Sequence, residues 1–130
     1  MIVPNDSELI KGEIADYRLD ETGILYSYSK SIQRTVSNIS DNVALVKQIT
    51  GNKRVPLLIY LCNSPMPDKA TRQFSTEQLP LIYKAMAMVS KSGLGKIIMN
   101  VLFNLKKPPI PMKSFSNDRE AREWLIQFVE

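Results

Sequence analysis

The chain has 130 residues, 44% of them apolar and 23% charged, with one cysteine, no histidine and a formal net charge of +4. That length and apolar content fit a single domain with a continuous core and exclude a tandem architecture. Without histidine there is no Ser-His-Asp triad, Cys-His dyad, histidine-bearing zinc site or imidazole proton shuttle, and a lone thiol supports neither an internal disulfide nor a thiolate metal cluster.

Residues 1–11 read as a short leader and 12–130 as one domain. Ala15 to Leu19 alternates Ala15, Tyr17 and Leu19 against Asp16 and Arg18, the period of a half-buried strand. Asp20-Glu21-Thr22-Gly23 is a turn, and Ile24 to Tyr28 resumes the alternation, with Ile24, Tyr26 and Tyr28 on one side. The two runs predict a hairpin. From Val36 the period changes: Val36, Ile39, Val43, Val46 and Ile49 form one helical stripe that stops at Gly51, with Thr35 or Ser37 as its cap. Val55 to Cys62 is almost continuously apolar, as expected of a central strand covered on both faces. After the loop Asn63 to Pro67, Asp68 caps a helix over Lys69 to Phe74. Pro80 suits the first turn of a separate short helix opening near Thr76 or Glu77.

Ala85 to Val89 has the length of a strand, and Leu94 to Leu105 carries a broad apolar helical face that must end before Pro108 and Pro109. Met112 to Phe115 is a short last strand. Asn117-Asp118-Arg119-Glu120 has the capping-box pattern of a final helix, with Ala121, Trp124, Leu125 and Phe128 on one face. The order ββαβαβαβα predicts an α/β fold of about five strands, mostly parallel after the initial hairpin, flanked by about four helices.

Charge is uneven along this order. Residues 51–115 hold ten basic and two acidic side chains, whereas residues 1–50 hold five and seven. Such a bias would steer an acidic partner to the middle of the chain, although lysines there also serve simply to solvate helix faces and turns. No aromatic-interleaved RNA signature or recognition-helix pattern accompanies it, so no nucleic-acid partner is expected. No stretch approaches the roughly twenty apolar residues that cross a bilayer, the longest, Ile97 to Leu105, being broken by Asn100 and Asn104. Asp6 and Glu8 precede any basic residue, unlike a secretory signal. No integral membrane segment is expected, and the reducing cytoplasm is the expected compartment.

Chemistry-bearing motifs are sparse. Ser90-Lys91-Ser92-Gly93-Leu94-Gly95-Lys96 falls short of a phosphate-binding loop, since Ser90 stands at the first glycine and Ile97 at the magnesium-binding hydroxyl. The pairs Asp20 with Glu21 and Glu120 with Glu123 fall on a turn and on an exposed helix side, where no catalytic pKa arises. Cys62, without a histidine to activate it, reads as a small apolar residue. Met66, Met86, Met88, Met99 and Met112 with Phe74 and Phe103 would serve either as ordinary core or as the lining of an adaptable apolar cavity.

The element order, the run Asp16 to Leu25, the strand Val55 to Leu61, the segment Lys69-Ala70-Thr71-Arg72-Gln73-Phe74 and the stretch from Lys106-Lys107-Pro108-Pro109 to Phe115 resemble the small bacterial SpoIIAA-like proteins of the STAS superfamily, in particular a Bacteroidetes-type branch. In its phosphorylatable members, the anti-sigma-factor antagonists, an Asp-Ser-Ser-Gly string opens the helix after the central strand and carries the regulatory serine. The matching string here is Asp68-Lys69-Ala70-Thr71, with Ala70 where a hydroxyl would stand and Thr71 one residue along. The superfamily also resembles lipid-binding CRAL-TRIO-like domains in fold.

The resemblance and the lack of a catalytic set imply a non-enzymatic binding or regulatory module, acting as a homodimer through protein contacts, with no cofactor or metal. Ligands of open α/β sheets sit beyond the carboxyl ends of the parallel strands. The expected site is therefore Asn63, Ser64, Asp68, Lys69 and Thr71 after one strand and Ser90, Lys91, Ser92 and Gly93 after the next. The alternative is a carrier or sensor of an apolar or lipid-like ligand, using the Met and Phe residues.

Overall fold

The computed structural model describes residues 9–62, 64–90 and 108–129. A hairpin opens the fold: β1 (Ala15–Leu19) pairs antiparallel with β2 (Leu25–Ser29), Tyr17 opposite Ser27. One carboxylate organises its turn. Asp20 Oδ1 accepts from the backbone N–H groups of Thr22, Gly23 and Ile24 at 2.9, 3.0 and 3.0 Å, and from the Thr22 hydroxyl at 2.6 Å. Gly23 completes the reversal at φ 101°, where a side chain would be strained.

Next comes α1 (Val36–Thr50), opened by a capping box in which Thr35 and Asn38 each bond the other's backbone N–H. It is closed by Gly51 in the left-handed conformation. Then follow β3 (Val55–Tyr60), α2 (Lys69–Ile82), β4 (Tyr83–Val89), β5 (Met112–Phe115) and α3 (Asp118–Leu125), which runs on into a 3-10 turn over Ile126–Phe128. Asn117 caps α3 by accepting from Glu120 N–H at 2.9 Å. The sheet has five strands in the order β1-β2-β3-β4-β5, parallel from β2 onward. This is the expected α/β architecture. Three α-helices flank it among the described residues, where about four were expected; the remaining one, Leu94 to Leu105, lies outside them.

The expected break between two helices is corrected: α2 is continuous from Lys69 to Ile82, with Pro80 inside it. Proline removes the N–H that would bond the Thr76 carbonyl, but only Leu81 and Ile82 follow it, so a single bond near the end is lost. The Tyr83 N–H closes the helix on the Leu79 carbonyl, and β4 starts without a connecting loop, two residues before the expected Ala85.

Strands β2, β3 and β4 are added successively on one side, so the crossover helices α1 and α2 share a face of the sheet. Ile39, Val43 and Val46 of α1 and Leu79 and Ile82 of α2 pack there on Tyr17, Leu25, Leu57, Met86 and Met88. On the other face α3 sets Ala121 and Leu125 on Ile24, Tyr26, Leu58, Ala85 and Ala87. Tyr28 and Tyr60 stack there at 5.0 Å between ring centroids, and Tyr60 Oη donates to Asp118 Oδ2 at 2.9 Å.

Candidate functional site

Among the described residues, the wedge between the sheet, α1 and α2 is not filled. It leaves a half-open cavity of about 280 Å³, floored by Leu57 and Ile59 of β3 and Met86 and Met88 of β4, with Val43 of α1 and Leu79 of α2 on its walls. That volume lies just below the roughly 300–1,000 Å³ typical of small-molecule sites and suits a small ligand. The segment after β3, with Cys62, Ser64 and Met66, forms one border, so the cavity opens toward the carboxyl ends of the parallel strands.

Polar groups enter this apolar space at defined points. The Tyr17 phenol sits 2.9 Å from Asn42 Oδ1 and 2.7 Å from Asn42 Nδ2, joining β1 to α1. Burial pushes the phenols of Tyr17 and Tyr83 above their ordinary values, so both stay neutral. Cys62 Sγ donates to the Ser29 carbonyl at 3.2 Å. Two arginines border the cavity. Arg72 Nη1 donates to the Pro67 carbonyl at 2.8 Å. Arg34 reaches in from the loop after β2, its Nη1 donating to the carbonyls of Lys30 and Ile32 at 2.6 and 2.8 Å and its Nη2 to that of Ile14 at 3.0 Å. Burial pushes the Arg34 guanidinium below its ordinary value, opposed by the neighbouring Cys62 and Tyr17. Among the described residues the lining contains no Asp or Glu.

The expected site residues are dispersed. Ser64 is exposed and borders the cavity. Asp68 caps α2 by accepting from Thr71 N–H at 2.8 Å, and the Thr71 hydroxyl together with this N–H holds its carboxyl below the usual range. Lys69 is exposed beside it, while Thr71 is buried at 4% exposure. Ser90 is half-buried, and its N–H donates to the Phe115 carbonyl at 3.2 Å. Asn63, Lys91, Ser92 and Gly93 lie outside the described residues, as do Met99 and Phe103. Met66, Met86 and Met88 border the cavity; Phe74 and Met112 pack on the same core without reaching it.

Of the two carboxylate pairs, Asp20 organises the hairpin turn and Glu123 lies 3.6 Å from Arg119 on the surface. No cluster of His, Cys, Asp or Glu suited to a metal occurs among the described residues. No helix among them is long and apolar enough to cross a membrane.

Arg34, Arg72, Tyr17 and Asn42 did not stand out in the sequence. One signal was available. Ser27 and Ser29 share the phase of β2 that faces α1 and α2, while Ile24, Tyr26 and Tyr28 face α3, and hydroxyls in one phase of a strand covered on both sides mark a face that is not solid core.

The model of a family described as "Domain of unknown function (DUF7793)" matches residues 17–129. No curated protein matches the chain. Among solved structures, it is similar to an uncharacterized protein from the DUF3478 family with a SpoIIAA-like fold, from Shewanella loihica PV-4. The TM-score is 0.54 and the identity 14%, over 90% of each chain. At that identity the likeness is one of fold, and it matches the SpoIIAA-like architecture expected from the sequence.

Proposed function

Because the chain belongs to the DUF7793 family and folds as a SpoIIAA-like sheet, we propose that it is a non-enzymatic STAS-like module, of a Bacteroidetes-type branch and acting in the cytoplasm, that binds a small apolar or lipid-like molecule. The observation that carries this reading is the cavity between the sheet, α1 and α2, apolar in its floor and bordered by the segment after β3. Thioether side chains such as Met86 and Met88 suit such a role because they adapt to ligand shape. A phosphorylation switch finds no support at the helix start, where Ala70 lacks a hydroxyl and Thr71 is 4% exposed.

Cys62 supplies the test, because it is the chain's single cysteine and borders the cavity. Saturating octanol should slow its reaction with a thiol reagent, and native mass spectrometry after mild purification should show a bound apolar mass. Labelling indifferent to octanol, together with a clean ligand-free mass, would overturn the proposal.

A second reading, docking of an acidic protein or of a second copy, is favoured by Met66 at 54% exposure on the segment that leads to the exposed Lys69. Lys69→Glu should then weaken partner capture with the melting temperature unchanged. Capture that survives the charge reversal removes this site from consideration.

A further inference from the structure

We propose that the cavity's ligand is an apolar chain ending in a carboxylate, and that the Arg34 guanidinium receives that carboxylate. The proposal rests on the cavity reading and adds the chemistry of the ligand's polar end. Arg34 borders the cavity, yet among the described residues its acceptors are the backbone carbonyls of Lys30, Ile32 and Ile14, two on Nη1 and one on Nη2. Among the described residues, Nε–H meets no acceptor and Nη2 meets one, the Ile14 carbonyl. Nε and Nη2 lie along one edge of the guanidinium plane, the edge that grips a carboxylate with parallel hydrogen bonds.

Its charge is likewise unmatched among the described residues. Asp16, the acid on neighbouring β1, is held by Lys30 at 2.9 Å and Lys11 at 3.6 Å, and no carboxylate pairs with Arg34. A partly buried cation surrounded by neutral carbonyls is stabilised far less than one facing an anion. Arg72 differs, because it lies one helical turn beyond the Asp68 carboxylate that caps α2. Arg34 is therefore the anchor, with room for a short chain beyond it against Ile59, Met86 and Met88.

The test compares octanoate, octanol and octylamine, three probes with one chain and different ends, by isothermal titration at neutral pH and low salt, with Cys62 labelling as a second readout. Octanoate should bind about tenfold more tightly than octanol, as a charge-assisted pair implies, and octylamine more weakly than either. In Arg34→Gln, octanoate should fall to the octanol level. Should that variant fail to fold, because Arg34 also ties Ile14, Lys30 and Ile32 together, the octanoate-to-octanol ratio of the parent protein decides alone. Equal affinity for octanoate and octanol overturns the anionic end and leaves the cavity reading intact. Binding of none of the three overturns both.

Discussion

Tyr17 of β1 and Asn42 of α1 are each other's polar partner across the sheet–helix interface, with Tyr17 Oη 2.9 Å from Asn42 Oδ1 and 2.7 Å from Nδ2. Tyr17 is 2% exposed and Asn42 half-buried, so the bond lies at the inner end of the interface. Tyr17→Phe should destabilise by about 1 kcal/mol, because half-buried Asn42 then loses its partner. Removing both ends in Tyr17→Phe with Asn42→Leu should bring stability back to within about 1 kcal/mol of the parent. Denaturant unfolding of the parent, both single variants and the double variant measures the coupling. Strictly additive losses would show that the two groups act independently.

The cavity should be closable from its helical wall. Val43 borders it and is only 8% exposed, so Val43→Phe directs a ring into the void and away from solvent. Octanoate and octanol affinity should fall by at least about tenfold, while the melting temperature stays within about 4 °C of the parent or rises. Unchanged affinity in a folded variant would place the probes elsewhere on the molecule.

Stability should decline in acid for a traceable reason. Burial acts to raise the Asp118 carboxyl, but the Tyr60 hydroxyl at 2.9 Å and Arg122 at 3.4 Å outweigh it and hold it below the usual range. Asp16 is likewise held down against burial by Lys30, the Gly12 N–H and Lys11. A carboxyl lowered in the folded state contributes stability above its unfolded pKa, near about 3.9, and loses it as pH falls through the folded value. The melting temperature should therefore drop between about pH 4 and pH 2, and Asp118→Asn should show a smaller drop from a lower starting point. A variant that tracks the parent across that range would exclude Asp118 from the acid response.

Pro80 is a local defect that the helix tolerates. Pro80→Ala restores an N–H toward the Thr76 carbonyl and removes the ring's clash with the preceding turn, against a gain of freedom in the unfolded chain. A net stabilisation of about 1 kcal/mol is expected by denaturant unfolding. A loss instead would show that the half-buried ring contributes packing that alanine cannot supply.

These residues also separate what the sequence displays from what it conceals. The strands β1 and β5 and the start of α1 are legible because each depends on local chemistry: alternation from Ala15 to Leu19, a short run before Asn117, and Thr35 placed to cap. The continuity of α2 is not legible, because whether Pro80 ends a helix or merely weakens its last turn depends on the packing of Leu79 and Ile82 against the sheet. The cavity is hidden for a related reason. Met86 and Met88 look the same in sequence whether they fill a core or line a void, and Arg34 enters the site from a loop with no periodicity. A void is a property of how three elements meet, and no single segment encodes it.

The strand order β1-β2-β3-β4-β5 follows the chain itself. During synthesis each new strand therefore docks on the one made just before it, and none has to wedge between two already joined. Such a sheet grows from one margin with low contact order for its parallel type. The same order leaves the outer edge of β4, from Tyr83 to Val89, unprotected until Met112 to Phe115 has left the ribosome. Nascent chains stalled before Met112 would thus present an unpaired, mostly apolar edge to their neighbours, and aggregation should begin there.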